Sequence, residues 1–111
     1  MEVSVHAYNR INERVCAVFS RRQANKIAEE AYKKGYRIEQ LQSEYKHLAE
    51  YLSFKLKGES DRTEVRLYKE CLWFWNGRKR TLRTVYPIYK SIPIAGELKK
   101  LRKWEEENGR N

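Results

Sequence analysis

Apolar positions recur at spacings of three and four through the first half of the chain, and at every second residue through much of the rest. Residues 4–15 are predicted as a first helix, with Ser4 as N-cap and Tyr8, Ile11 and Val15 as its apolar stripe. A second opens at Ser20, which forms a Ser-x-x-Gln capping box with Gln23. Its stripe of Ala24, Ile27, Ala28 and Ala31 is small enough to imply a close neighbour. Gly35 stands where a left-handed cap would end it. A third helix is expected over 38–57, with Leu41, Tyr45, Leu48, Leu52 and Leu56 along one side and Gly58 as its stop.

Beyond Gly58 the period becomes two. Residues 64–69 alternate, placing Val65 and Leu67 on one face and Arg66 and Tyr68 on the other. Residues 72–75 form an aromatic and apolar strand. Asn76-Gly77 follows as a hairpin signal, because both residues accept positive φ. Residues 80–86 return as a third strand, stopped by Pro87, which cannot donate to a ladder. A short final helix over 95–107 carries Leu98, Leu101 and Trp104, a narrow stripe that needs a docking surface. The expected fold is α+β: three N-terminal helices, a three-stranded antiparallel meander (64–69, 72–75, 80–86) and a short C-terminal helix. It forms one domain, with a core at 1–93 and a separable helical extension at 94–111.

Composition narrows the class. At 41% hydrophobic and 13% aromatic, the 111 residues can build one core, which excludes a disordered chain. No apolar run approaches the ~20 residues of a spanning helix, and the N-terminus lacks the apolar core of a signal peptide. A cytoplasmic protein without a membrane partner is expected. Cys16 and Cys71 are far apart and no close Cys or His pairs occur, so neither metal nor cofactor is expected. Both thiols read as small buried apolar residues. The formal charge of +9 calls for a polyanionic partner, nucleic acid or nucleoprotein. The excess is densest in residues 58–93, with 8 basic against 4 acidic side chains.

Three clusters are candidates for chemistry. Arg78, Lys79, Arg80 and Arg83 can neutralise phosphates, and neighbouring Trp73 and Trp75 can stack unpaired bases. Period two sets both tryptophans on the face opposite Phe74, so the run reads equally as base platform or as core. On the first helix His6, Arg10 and Arg14 share a face. The histidine suits general acid–base work and the arginines suit phosphate, yet Glu13 can reduce the cluster to a surface ion pair. Tyr86, with Tyr89 and Lys90, could orient a phosphodiester or simply pack. His47 reads as solvent-facing. No Gly-rich phosphate loop or pair of metal-binding carboxylates supports nucleotide hydrolysis.

The run His6-Ala7-x-x-Arg10-x-x-Glu13-Arg14, the second capped helix and the ending Thr84-Val85-Tyr86-Pro87 resemble a group of small bacterial and prophage proteins. Some of that group are assigned to the barnase–EndoU–colicin–RelE superfamily of metal-independent ribonucleases and their inactive relatives. The resemblance implies helices packed on a twisted antiparallel sheet, with RNA on the sheet's open face. It also implies a site drawn from His6, Arg10, Arg14 and Tyr86. The leading expectation is an RNA-binding protein with a RelE-like fold, extending to metal-independent cleavage. In that chemistry the 2′-hydroxyl attacks its own phosphate and arginines stabilise the developing charge. Two alternatives stand beside it. One is a phage-encoded, anti-CRISPR-like inhibitor that occupies a nucleoprotein effector without catalysis. The other is a structural homo-oligomer joined through the aromatic strand or the Trp104 helix.

Overall fold

The computed structural model describes residues 1–78 and 80–109. The order is β1 (Glu2–Val3), α1 (Val5–Arg14), α2 (Arg21–Lys34), α3 (Ile38–Leu41), α4 (Lys46–Leu56), β2 (Thr63–Tyr68), β3 (Cys71–Asn76), β4 (Thr81–Pro87) and α5 (Ile92–Asn108). The sheet runs β1-β4-β3-β2, with β1 parallel to β4 and the other pairs antiparallel. It is thus four-stranded and mixed, not a three-stranded antiparallel meander, and the described residues hold five helices rather than three plus one. β1 spans only two residues, too few to show a period.

Two apolar clusters lie on opposite faces of this sheet. Ala7, Ile11, Ala24, Ala28 and Ala31 of α1 and α2 pack with Trp73, Trp75, Leu82 and Val85. Leu41, Leu48 and Leu52 of α3 and α4, with Ile94, Leu98 and Leu101 of α5, pack with Val65, Leu67, Leu72 and Phe74. The architecture is therefore three layers, helices on both sides of a sheet. Beyond residue 93, Ile94, Leu98 and Leu101 are buried in the second of these clusters.

The first two helices begin where their caps direct. Ser4 Oγ accepts from the Ala7 N–H at 3.0 Å and Ser20 Oγ from the Gln23 N–H at 3.2 Å. Gly35 ends α2 for a different reason from the one expected. Its φ of −66° is open to any residue, but a Cβ there would sit 2.4 Å from Ala31 O and 2.7 Å from Arg66 Cβ. Close approach of α2 to β2, not a left-handed turn, selects glycine.

The helix expected over 38–57 is broken. Tyr45 leaves helical geometry at φ −128°, ψ 54°, and α4 starts afresh after it. No local side chain caps this new start. Glu97 of α5 does so from across the fold, accepting from the Leu48 N–H at 2.8 Å, the His47 N–H at 3.2 Å and, at 2.7 Å, pairing with His47 Nδ1. Burial opposes ionisation of Glu97, but these hydrogen bonds outweigh it and hold its pKa below the ordinary 4.5. A depressed carboxyl contributes stability above the unfolded-state pKa and loses it as pH falls through the folded value. Glu97→Gln should therefore cost about 1 kcal/mol at neutral pH. It should also flatten the acid limb of the stability profile, as read by urea denaturation between neutral pH and acid.

The hairpins also exchange roles. Positive φ at both central positions occurs at Lys69 (51°) and Glu70 (56°), in the two-residue turn between Tyr68 and Cys71. Left-handed backbone costs a non-glycine residue roughly 1–2 kcal/mol. Ion pairs from Lys90 and Arg102 to the Glu70 carboxylate help to offset it. At the Asn76-Gly77 end neither residue adopts positive φ, and the connection to β4 is longer, with Arg80 at 49°. A Cβ on Gly77 would meet Arg62 O at 2.3 Å, so close approach again selects glycine.

Candidate nucleic-acid interface

Where α1 lies along β4, the chain gathers most of the candidates. The N-cap Ser4 donates from its Oγ to Arg83 O at 3.2 Å, and its N–H donates to Leu82 O at 3.1 Å. At the far end of α1, Arg14 Nη1 donates to Val85 O at 2.7 Å. Helix and strand thus run side by side in the same sense. Ala7 and Ile11 point into the core, and Tyr8 turns toward α2, its hydroxyl on Val18 O at 3.3 Å. The opposite flank of the helix carries His6, Arg10 and Arg14, and of these Arg14 reaches β4.

β1 pairs with Thr81 and Leu82, so among the described residues β4 has no strand neighbour on its outer side beyond that point. A bulge falls there. Phe74 pairs with Thr84 but Trp75 with Leu82, leaving Arg83 as the extra residue. Arg83 is exposed and reaches both carboxylate oxygens of Glu59 at 3.2 Å. Tyr86, 47% exposed, meets Phe74 edge-on at 5.7 Å between centroids, while the Arg14 guanidinium lies over its ring at 5.6 Å. Arg10 pairs with Glu13 at 2.7 Å, and His6 is exposed. The structure therefore brings Arg14, Tyr86 and the Arg83 backbone together, with His6 and Arg10 further back on the same flank of the helix.

The other candidates fall elsewhere. Trp73 and Trp75 are 0% exposed and belong to the core beneath α1 and α2, which removes them from any stacking surface. Trp73 Nε1 donates to Tyr68 O at 2.9 Å. Phe74 faces α4 and α5 and is equally inaccessible. Among the described residues helices cover both faces of the sheet, where the resemblance implies one open face. The uncovered margin of β4 is what remains. The aromatic side chains of β3 are thus buried within this fold, whereas Trp104 on α5 is exposed.

At the hairpin tip Arg78 and Arg80 are exposed, and Lys79 lies outside the described residues. Arg80 does not simply reach outward. Its guanidinium lies 5.7 Å from the Tyr32 ring centroid. Buried Arg66, overlooked in the sequence as a core residue, lies 4.6 Å from the same centroid and 6.0 Å from that of Trp75. Tyr89 is exposed, its N–H on the Tyr51 hydroxyl at 3.1 Å, and Lys90 is held by Glu70. His47, read as free in solvent, is half-buried and paired with Glu97. Cys71 is buried, which pushes its thiol pKa up, but Cys16 is exposed, contrary to expectation. Among the described residues no group of His, Cys, Asp and Glu could hold a metal ion, and no helix is long and apolar enough to cross a membrane.

Fold and margin together define a three-layer α/β/α protein with a basic helix–strand seam. No family model matches the chain, and neither a curated protein nor a solved structure matches it.

Proposed function

We propose that this protein is an RNA-binding protein of the cytoplasm that grips the phosphate backbone along the seam between α1 and β4. The observation that carries this is the contact of Arg14 with Val85 O and Tyr86 on β4, beside exposed Arg83 and on the helix flank that also carries His6 and Arg10, in a chain of net charge +9. Residues 83–87 of β4, beyond its pairing with β1, extend the margin by roughly 15 Å at ~3.3 Å per residue, enough for more than one phosphate. Arg78 and Arg80, at the tip from which β4 departs, continue the positive charge.

Binding is favoured over turnover because two of the three arginines arrive already paired, Arg10 with Glu13 and Arg83 with Glu59. Such groups exchange one anion for another. They are not unneutralised charges poised to meet a transition state. The same feature suits the second reading, occupation of a nucleoprotein effector through its RNA.

Titration with a single-stranded RNA between about 50 and 200 mM salt tests the proposal, since released counterions make log affinity fall linearly with log salt. Steep salt dependence with intact RNA is expected. Absence of binding at low salt would overturn the reading. RNA cut in the presence of chelator, with cutting lost in His6→Gln, would convert the binding protein into a ribonuclease.

A further inference from the structure

We infer that the cavity where α5 lies against the break between α3 and α4 receives an arginine side chain of a partner protein, seated on Trp104 and beside Glu44. It has a volume of about 180 Å³ and is lined by Tyr36, Glu44, Tyr45, Leu101 and Trp104. Small-molecule sites run to roughly 300–1,000 Å³, so this one suits a single side chain rather than a nucleotide or a cofactor. Tyr36, Tyr45 and Leu101 are buried in the second apolar cluster and form a fixed floor. Trp104 departs from the rest of its stripe. Leu98 and Leu101 are buried, whereas Trp104 is 41% exposed. Among the described residues its indole meets no other ring at stacking distance, lies under no cation and donates no hydrogen bond. It is an open aromatic wall.

Charge selects the occupant. Glu13, Glu59, Glu64, Glu70 and Glu97 each face an Arg, Lys or His partner. Glu44 forms no ion pair among the described residues, and Glu105 takes the Tyr36 hydroxyl at 2.8 Å but no cation. Burial first, and then the carboxylates of Glu44, Glu105 and Glu97, push the Tyr45 hydroxyl above its ordinary pKa. In a chain of net charge +9 this cavity is therefore acidic and aromatic, the complement of a cation. The chain already sets one beside it: Lys100 Nζ lies 5.4 Å from the Tyr45 ring centroid, leaving the Trp104 face uncovered. Arginine uses that face best. Its guanidinium is weakly hydrated, lies flat on an indole and directs N–H groups from its edge, here toward Glu44. Phosphate is repelled by the same carboxylates, so the cavity is no extension of the α1–β4 seam and stands independently of the RNA-binding reading. A second copy, itself carrying +9, meets general repulsion.

Two capped pentapeptides decide the matter, identical except for a central arginine or its neutral isostere citrulline. Each is titrated into the nitrogen-15-labelled full chain while the indole N–H signals of Trp73, Trp75 and Trp104 are followed by NMR. The arginine peptide should move the Trp104 signal and leave those of buried Trp73 and Trp75 in place; the citrulline peptide should move none. Read from the Tyr45 and Leu101 amides, Trp104→Ala should weaken arginine-peptide binding roughly 3- to 30-fold. Glu44→Gln should weaken it severalfold at low salt, and Lys100→Gln, which removes a competing cation, should strengthen it. Unmoved Trp73 and Trp75 signals show that each variant keeps its fold. Equal shifts from both peptides, or unchanged affinity in folded Trp104→Ala, would overturn the inference. So would a Trp104 signal that moves on dilution of the protein alone, which would assign the cavity to a second copy. Tetramethylammonium bound as tightly as the arginine peptide would overturn it too, making the cavity a site for free ammonium ions.

Discussion

Truncation after Ser91 is expected to leave a chain that does not fold cooperatively. The deletion removes Ile94, Leu98 and Leu101, all buried, and uncovers Leu48, Leu52 and Phe74 beneath them. Burying each apolar side chain contributes roughly 1.5–3 kcal/mol, so three of them rival the ~5–15 kcal/mol net stability of a domain. Polar links go with them. Glu97 no longer caps α4, the Tyr36 hydroxyl loses Glu105 at 2.8 Å, and Glu70 loses Arg102 while its turn keeps left-handed backbone. The near-ultraviolet circular dichroism of Trp73 and Trp75 should collapse, and urea should produce no sigmoidal transition. A shortened chain that retained both would show that residues 94–111 are the separable extension their sequence suggests.

That contrast shows where local pattern stops being informative. Caps written within four residues, Ser4 and Ser20, could be read directly, and so could the approximate strands. α4 could not, because its cap is Glu97, some fifty residues on, while the stripe of Leu41, Tyr45, Leu48 and Leu52 runs through the break without losing phase. The narrow stripe of α5 suggested an attachment since sequence shows a helix's own face but not the groove that receives it. Run length carried a signal that was available. Cys71 to Trp75 has no polar residue, which suits a strand covered on both faces better than one with an open side. Weighting that over alternation would have placed both tryptophans and Phe74 in the core together.

The site was legible in part for the same reason. His6, Arg10 and Arg14 are four residues apart on one helix, so their shared face follows from helical period alone. The meeting of Arg14 with Tyr86, beside Arg83, required the parallel placement of α1 on β4, set by Ser4 against the Leu82 and Arg83 carbonyls. Glu13, three residues from Arg10, did announce that ion pair, but nothing in the spacing of Arg83 announced a bulge or pointed to Glu59 as its partner.

The most direct test of the account compares two charge-removing variants in RNA binding. One replaces Arg10, Arg14 and Arg83 by Gln along the seam; the other replaces Arg78 and Arg80 by Gln at the tip. A charged hydrogen bond is worth about 1.5–3 kcal/mol, so the seam variant should lose at least a hundredfold in affinity at low salt. With three phosphate contacts gone, its slope of log affinity against log salt should fall by about 2, taking ~0.7 per contact on a single strand. The tip variant should lose less than tenfold. Both should keep the near-ultraviolet signal of the buried tryptophans, because none of the five arginines belongs to the apolar clusters. A folded seam variant that binds RNA with wild-type affinity and slope would contradict the claim that the α1–β4 margin is the binding surface.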